Sequence, residues 1–245
     1  MAKWKEAVVL RIEAQSANTR LFILKILDDF MFHFEPGQFI TLDLPIHEKR
    51  RLRLRSYSIA NIPNEDNILE LSITQLEGGA GTRYLFDEVK EGHILTFKGP
   101  GGVFILPNQL PSKLVFICTG TGIVPFRSML KKLVQTKNVN LDIHLIFGTR
   151  YEAGILFKDE MMAYQNAFSH FQYSVALSRE KKIKKGENPD IYHGYVHAVY
   201  KNKYADVQKN IKFMLCGWSG MIDEAVTNLK EMGYGEGDIY YELYG

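Results

Sequence analysis

The sequence predicts an N-terminal antiparallel β-barrel over residues 1–107 and a C-terminal α/β domain with a parallel sheet over residues 108–245. Up to residue 107, short segments alternate apolar with polar residues between polar turns, which is typical of an antiparallel barrel. Beyond residue 112, apolar runs alternate with helical periodicity, which indicates a parallel sheet covered by helices. The segment between them, LPNQLPS at 106–112, has two prolines and no periodicity, so it is predicted to be the linker.

The barrel strands are delimited by turn signals. Pro36-Gly37 marks the turn before one strand, and Gly99-Pro100-Gly101-Gly102 follows the last. A single helix is predicted in this domain, over residues 82–89. The predicted strands are 7–13, 21–27, 39–44, 52–60, 68–74 and 94–98.

The α/β domain is organised around LVFICTGTGIVPFR at 114–127. Five apolar residues predict a strand buried on both faces, and the TGTG that follows leads into an amphipathic helix. The predicted strands are 114–118, 141–147, 171–177, 211–216 and 238–242, and the predicted helices are 123–136, 157–168, 195–204 and 219–232.

Composition excludes several classes of protein. The formal net charge of +2 argues against a general nucleic-acid binder, and no apolar run is long enough to span a membrane. The two cysteines, Cys118 and Cys216, are too far apart for a CxxC site, and the seven histidines have no metal-ligand spacing, so no metal is expected. A soluble protein of the reducing cytoplasm is predicted.

Small or cationic residues follow four predicted strands of the second domain. The glycines of TGTG at 119–122 let the backbone approach a ligand, and the helix N-terminus behind them favours an anion such as a pyrophosphate. The alternative is that these glycines only allow tight packing where the strand turns into the helix and bind no ligand. The other strand ends carry Gly148-Thr149-Arg150, Ser178-Arg179 and Cys216-Gly217, and in a parallel sheet all these ends meet at one edge. The pattern predicts a dinucleotide site.

The first domain carries signals for a second ligand. Arg51, Arg53 and Arg55 are predicted to share one strand face, and Tyr57 follows on that face. A guanidinium and an aromatic ring so close together suit a phosphate and a flat ring of one ligand, although arginines on a solvated strand are the alternative. GAGT at 79–82 opens the predicted helix and offers a further phosphate site.

These motifs, in this order, resemble the ferredoxin:NADP reductase family from about residue 35 to the end. RSYS at 55–58 matches the flavin signature RxYS, and PGQF at 36–39 matches the strand entry before it. GAGT resembles the flavin pyrophosphate turn, and TGTGIVPFRS at 119–128 the nicotinamide-nucleotide corner. SRE at 178–180, CG at 216–217 and ELY at 242–244 resemble the plant-type branch.

The resemblance implies a flavin-binding barrel and a nucleotide-binding α/β domain. Tyr57 would pack on the isoalloxazine and Tyr244 would cover its other face, while Ser58 would lie near flavin N5. The implied catalytic residues are Ser58, Cys216, Glu242 and Tyr244. With the strand-end residues, the predicted cofactor-binding set is Arg55, Ser56, Tyr57, Ser58, Ser72, Ile73, Thr74, Gly79, Ala80, Gly81, Thr82 and Tyr244 for FAD, and Thr119, Gly120, Thr121, Gly122, Gly148, Thr149, Arg150, Ser178, Arg179, Tyr195, Cys216 and Gly217 for the nucleotide.

NADPH is the expected nucleotide, with NADH as the alternative. Ser178 and Arg179 follow the third strand of the α/β domain, where cations select the 2′-phosphate, and Tyr195 is predicted to join them. The lysines at 181, 182, 184 and 185 extend this basic segment, although a solvated loop explains them equally well.

The resulting expectation is a cytoplasmic, monomeric flavoprotein that moves electrons between NADPH and a separate carrier, ferredoxin or flavodoxin. No four-cysteine cluster motif is present, so the iron–sulfur centre would belong to the partner. The basic run at 49–53 is expected to steer an acidic carrier. The alternatives are the reductase of an oxygenase, a free-flavin or ferric reductase, a non-turnover FAD electron-transfer subunit, and a nucleotide-binding scaffold without turnover.

Overall fold

The computed structural model describes residues 3–28, 30–136, 141–182 and 190–244. By its internal contacts the chain divides into two compact units. The first consists of Met1–Leu106 together with Val124–Gln135, and the second of Pro107–Ile123 together with Thr136–Gly245. The helix that follows the TGTG turn therefore belongs to the N-terminal unit from its second residue, Val124, onwards.

The first unit is built on a six-stranded antiparallel sheet, as predicted. Its elements are β1 (Lys5–Ser16), β2 (Thr19–Ile26), β3 (Phe39–Asp43), β4 (Leu54–Ser58), β5 (Ile68–Thr74), α1 (Ala80–Asp87) and β6 (Ile94–Gly101). The strand order is β4-β3-β6-β1-β2-β5. Just after the end strand β4, the Ala60 N–H donates to the carbonyl oxygen of Glu70 in the other end strand, β5, at 2.8 Å, which brings the two edges of the sheet together. Alternate side chains such as Phe22, Leu42 and Phe97 are fully buried and form the core.

The basic segment before β4 is not a strand, and this prediction was wrong. Residues Arg50–Leu52 form a 3-10 helix, and Arg53 continues it with helical backbone angles. The strand begins only at Leu54, so Arg51 and Arg53 do not share a strand face with Arg55. Arg50 and Arg53 both pair with the Asp43 carboxylate, at 2.9 and 2.7 Å, which favours the turn over an extended ladder.

Helix α2 (Ile123–Gln135) is tied to the first unit by polar and aromatic contacts. The buried Arg127 guanidinium donates to the Ala60 carbonyl oxygen and forms an ion pair with the Glu70 carboxylate. The Ser128 hydroxyl accepts a 3.0 Å hydrogen bond from the Gly37 N–H. Gly37 has a φ of 105°, and a Cβ there would lie 2.0 Å from a backbone oxygen, so this position requires glycine.

The second unit contains a parallel sheet with helices, as predicted, and the sheet has six strands where five were expected. Its elements are β7 (Lys113–Thr119), β8 (Asp142–Thr149), α3 (Lys158–Ala167), β9 (Phe171–Leu177), β10 (Asp190–His193), α4 (Val196–Lys203), β11 (Ile211–Trp218), α5 (Ser219–Glu231) and β12 (Ile239–Tyr244). The strand order is β10-β9-β8-β7-β11-β12. Fully buried residues of the central strands, including Ile117, Phe213 and Leu215, pack in one core cluster with residues of α4 and α5.

Strand β10 was not predicted. Its four residues, DIYH, are half-buried or exposed, and they contain no apolar run that would indicate a strand. It forms an edge strand by pairing with β9, from Asp190 opposite Ser174 to His193 opposite Leu177. In the residues that the structure describes, no helix is long and apolar enough to cross a membrane.

Candidate functional site

An anion cradle lies at the start of α1 in the first unit. Helix geometry leaves the first N–H groups of α1 without intrahelical acceptors, and the N-cap residue Gly79 makes no side-chain cap. The Arg55 side chain lies against this turn, since a Cβ at Gly81 would be 2.9 Å from Arg55 Cγ and 3.1 Å from its Nε. A guanidinium beside a helix N-terminus favours a phosphate group, and glycine at position 81 gives the Arg55 side chain the room that a Cβ would take.

Tyr57 and Ser58 continue the same strand. Tyr57 lies two residues after Arg55 on β4, so both point to one face of the strand. Its ring packs against the barrel core, and burial raises the pKa of Tyr57 to about 12 although the Arg55 charge acts in the opposite direction. The phenol therefore stays neutral. Ser58 is buried at the end of β4, opposite Phe39.

Ser56 and Thr82, two of the predicted FAD-binding residues, use their hydroxyl groups in hydrogen bonds within the protein. Ser56 and Thr41 share a 3.0 Å hydrogen bond across β3 and β4. The Thr82 hydroxyl accepts from the Leu76 N–H at 3.0 Å and donates to the Gly79 carbonyl oxygen at 3.1 Å. These bonds fix the turn that presents the N–H groups of α1.

The three predicted residues of β5 differ in orientation. The Ser72 hydroxyl donates to the Gln15 side chain, and the Thr74 hydroxyl lies 2.8 Å from that of Thr19. Ile73 is part of the buried barrel core. Any contact of Ile73 with a cofactor therefore involves its backbone.

A cleft of about 370 Å³ lies next to the anion cradle, and most of the residues that line it were missed from the sequence. Only Gly79 of this set had been predicted. The cleft has no motif of its own, but it adjoins the GAGT segment, and Arg83 is the residue directly after that segment. The lining residues are Gln75, Leu76, Glu77, Gly78, Gly79 and Arg83.

The TGTG turn of the second unit packs against strand β11 through backbone contacts. Residues Gly120–Gly122 form a 3-10 turn after β7, and Gly120 has a φ of 54°. A Cβ at Gly122 would lie 2.2 Å from the Cys216 carbonyl oxygen, and one at Gly217 would lie 2.5 Å from the Thr119 hydroxyl. Only glycine fits these contacts, which leave the turn open for a ligand on its other side.

The sheet brings the predicted strand-end residues to one edge. Thr119 of β7 is in register with Gly148 of β8, and Thr149 is in register with Leu177 of β9. Because all six strands are parallel, the residues that follow them lie along the same edge.

Two exposed arginines lie on adjacent strand ends at this edge. The Arg179 N–H donates to the Arg150 carbonyl oxygen at 2.9 Å, and the Ser178 N–H donates to the Thr149 carbonyl oxygen at 3.0 Å. Tyr195, the N-cap residue of α4, is 70 % exposed. It lies near this pair, because the preceding residue donates its N–H to the last carbonyl oxygen of β9. The part of the edge at the ends of β8 and β9 therefore presents two guanidinium groups and the ring of Tyr195.

Part of the basic segment lies outside the described residues. Lys184 and Lys185 fall within 183–189, so the structure assigns them no place. Lys181 and Lys182 are described and exposed.

Two cysteines and a glutamate lie side by side on three neighbouring strands, β7, β11 and β12. Cys216 of β11 is paired with Cys118 of β7 on one side and with Glu242 of β12 on the other. Both thiols are fully buried, and burial raises the pKa of Cys118. Burial also raises the pKa of Glu242 to about 7, and its Oε2 atom is buried with no hydrogen-bond partner among the described residues. The backbone of Tyr244 continues β12 in register with Trp218.

Comparisons with known proteins agree with two ligand-binding halves. The family model of the oxidoreductase FAD-binding domain matches residues 6–105, and that of the oxidoreductase NAD-binding domain matches residues 116–227. Ferredoxin--NADP reductase B of Sorangium cellulosum is 30% identical over 236 residues, which cover 94% of this chain and 91% of that protein.

Two further relatives widen the comparison. The phenol hydroxylase P5 protein of Acinetobacter pittii is 28% identical over 239 residues, which cover 98% of this chain and 65% of that protein. The crystal structure of a ferredoxin NADP+ reductase from Neisseria gonorrhoeae with bound FAD and NADP shares the fold, with a TM-score of 0.80 and 21% identity over 99% of each chain.

Proposed function

The chain belongs to the ferredoxin–NADP reductase family of FAD- and NAD-binding oxidoreductases, and we propose that it moves electrons between NADPH and a separate one-electron carrier, ferredoxin or flavodoxin. When bound, the flavin supplies the conversion between two-electron and one-electron transfer. The protein supplies the binding, orientation and proton-carrying groups described below.

The observation that carries this proposal is the cradle formed by Arg55 and the first turn of α1. Arg55, Gly81 and Thr82 would hold the FAD pyrophosphate, because a cation and a helix N-terminus converge there. Tyr57 on the same strand face would pack on the isoalloxazine ring, and its neutral phenol adds no charge at that position. The buried Ser58 would donate a hydrogen bond to the reactive edge of the ring.

The nucleotide would bind at the carboxyl edge of the parallel sheet. The N–H groups of the TGTG turn would receive the pyrophosphate. Ser178, Arg179 and Tyr195 would receive the adenosine half, and we propose NADPH because guanidinium groups at this position suit a 2′-phosphate. The exposed Arg150 beside Arg179 supports this choice.

Cys216, Glu242 and Tyr244 would form the reactive part of the site. A carboxyl group with a pKa of about 7 can hold or release a proton near neutral pH, which is what a proton relay requires. Cys216 lies beside it in register and would shape the nicotinamide pocket. Tyr244 would cover the flavin until the nicotinamide replaces it.

The carrier would approach the basic segment before β4. Within this segment Arg50 is engaged by Asp43 and packs over the Trp4 ring, while Arg51 is exposed. Exposed positive charge accelerates encounter with an acidic partner. A second candidate function, reductase of an oxygenase, is favoured by the similarity to the reductase component of phenol 2-monooxygenase from Pseudomonas sp., which is 29% identical over 215 residues.

The test is a steady-state assay of the purified protein with NADPH or NADH as donor and ferredoxin or flavodoxin as acceptor. We expect a yellow protein, a preference for NADPH, and reduction of at least one carrier. Arg179→Glu is expected to raise the KM for NADPH about tenfold or more with little change for NADH, since it replaces the 2′-phosphate partner by a repelling charge. Lys209→Glu, an exposed site outside this edge, is the matched control.

Three outcomes contradict parts of this proposal. A protein that stays colourless with added FAD would be a scaffold without turnover. Equal use of both nucleotides by wild type and Arg179→Glu would remove the assignment of the 2′-phosphate site. If Arg51→Glu left the carrier-dependent rate and its salt sensitivity unchanged, the basic segment would not be the docking surface.

A further inference from the structure

Trp218 is a large aromatic residue that the fold leaves in solvent at the nucleotide edge. It is 73% exposed, although it ends a strand whose preceding five residues are all buried. Exposing an indole forfeits the stabilisation that its burial would give, and exposed aromatic rings are concentrated at binding sites. The sequence resemblance gave no role to this residue.

The Trp218 ring lies beside the first turn of the helix that follows it. A Cβ at Gly220 would lie 3.5 and 3.6 Å from two atoms of the six-membered ring, so the ring lies against the first turn of α5. Part of the six-membered ring therefore lies next to Gly220, while most of the residue is open to solvent. A flat, exposed aromatic surface of this kind suits stacking with another planar ring.

The backbone of Trp218 is attached to the TGTG turn itself. Its N–H donates to the Thr119 hydroxyl at 3.3 Å, and Gly217 before it packs on the backbone of Thr119. Gly122 of the turn lies against the backbone of Cys216 and Gly217. The turn therefore follows a strand that lies one strand spacing, about 4.8 Å, from the strand that ends in Trp218, so a nucleotide bound at the turn would be close to Trp218.

The strand order indicates which half of the nucleotide Trp218 meets. The order is β9-β8-β7-β11, with the TGTG turn following β7. The proposed adenosine subsite at Ser178 and Arg179 lies two strands to one side of β7, and Trp218 lies one strand to the other side. A dinucleotide anchored by its pyrophosphate at β7 extends its two nucleosides in opposite directions, so Trp218 faces the nicotinamide half.

We propose that Trp218 stacks with the nicotinamide nucleoside of the bound pyridine nucleotide and sets the affinity for that half. This inference rests on the proposed orientation of the nucleotide along the sheet edge. It adds a binding residue to the site, separate from the residues that select the 2′-phosphate.

The experiment uses the fluorescence of Trp218 in the FAD-loaded protein. The sequence contains two tryptophans, so the Trp4→Phe variant reports on Trp218 alone. We expect quenching on titration with NADP+ or nicotinamide mononucleotide and none with 2′,5′-ADP. Trp218→Ala is expected to weaken NADP+ binding about tenfold, the loss of one ring stack, while Trp218→Phe keeps most of the affinity.

The 2′,5′-ADP probe separates this inference from the proposed function. Unchanged 2′,5′-ADP affinity in Trp218→Ala, with weakened NADP+ binding, supports the inference. Unchanged NADP+ affinity in Trp218→Ala overturns it, as does quenching by 2′,5′-ADP equal to that by NADP+. If neither NADP+ nor 2′,5′-ADP binds the wild-type protein, the proposed function fails and the inference fails with it. Tyr240→Ala, an exposed aromatic near the start of β12, is the matched control and is expected to bind both ligands normally.

Discussion

Replacing Glu242 by glutamine is expected to stabilise the protein at neutral pH and to have little effect below about pH 4.5. The carboxyl group is largely buried, and its Oε2 atom has no hydrogen-bond partner in the described part of the chain. Burial raises its pKa from 4.5 to about 7 because the charged form loses its hydration. Glutamine has nearly the same shape and carries no charge, so it removes this cost.

The size of the effect follows from the two pKa values. Below pH 4.5 both the folded and the unfolded chain hold the proton, so Glu242 imposes no charge penalty. Between pH 4.5 and 7 the folded protein binds the proton more tightly than the unfolded chain, so stability falls as pH rises. The full shift would correspond to a penalty of about 3 kcal/mol at pH 8, and solvent screening of the partly exposed carboxyl group reduces the expected penalty to about 1–2 kcal/mol, with a smaller value at pH 5.

The assay is urea denaturation of wild type and Glu242→Gln at pH 5, 6, 7 and 8. The difference in unfolding free energy between the two proteins should grow with pH in the variant's favour, because all other titrating groups cancel. Glu231→Gln, an exposed glutamate at the end of α5, is the control and should show no such growth. A Glu242→Gln difference that is independent of pH would falsify the assignment of a costly buried charge.

Two further predictions concern contacts that hold the fold. Arg127→Met is expected to lower the free energy of unfolding by about 3–5 kcal/mol because it leaves the Glu70 carboxylate without its buried partner, and adding Glu70→Gln should recover part of the loss. A loss below about 1 kcal/mol in urea denaturation would contradict this. Gly122→Ala places a Cβ 2.2 Å from a backbone oxygen of β11 and should weaken NADP+ binding about tenfold or more, as measured by titration. Gly237→Ala meets no described atom within 4 Å and should bind normally; equal affinities in the two variants would contradict the packing argument.

The sequence predicted the elements whose burial leaves a regular pattern. The central strands β7, β8 and β11 appear as apolar runs because they are buried on both faces, and the glycines of the TGTG turn mark the end of the first. The strand-end rule then placed the candidate nucleotide residues at one edge without any tertiary information.

Features that depend on tertiary contacts were beyond the sequence. Strand β10 exists because β9 offers an edge, and its own residues are too polar to indicate it. The 3-10 turn at Arg50–Leu52 is accompanied by ion pairs of Arg50 and Arg53 with the same Asp43 carboxylate. No local sequence pattern indicates these contacts. The Glu242 oxygen, which has no hydrogen-bond partner among the residues that the structure describes, and the exposed Trp218 ring are likewise properties of packing, and both concern the candidate site.

The membership of α2 in the first unit bears on how the protein is made. The contacts of Arg127 with Glu70 and of Ser128 with Gly37 join segments separated by 57 and 91 positions. The ribosome must therefore deliver residues up to about 135 before the N-terminal unit is complete, by which time the first strand of the next unit has already been synthesised. During synthesis the two units cannot mature strictly one after the other, and a fragment cut at residue 107 would lack the helix that neutralises the Glu70 carboxylate.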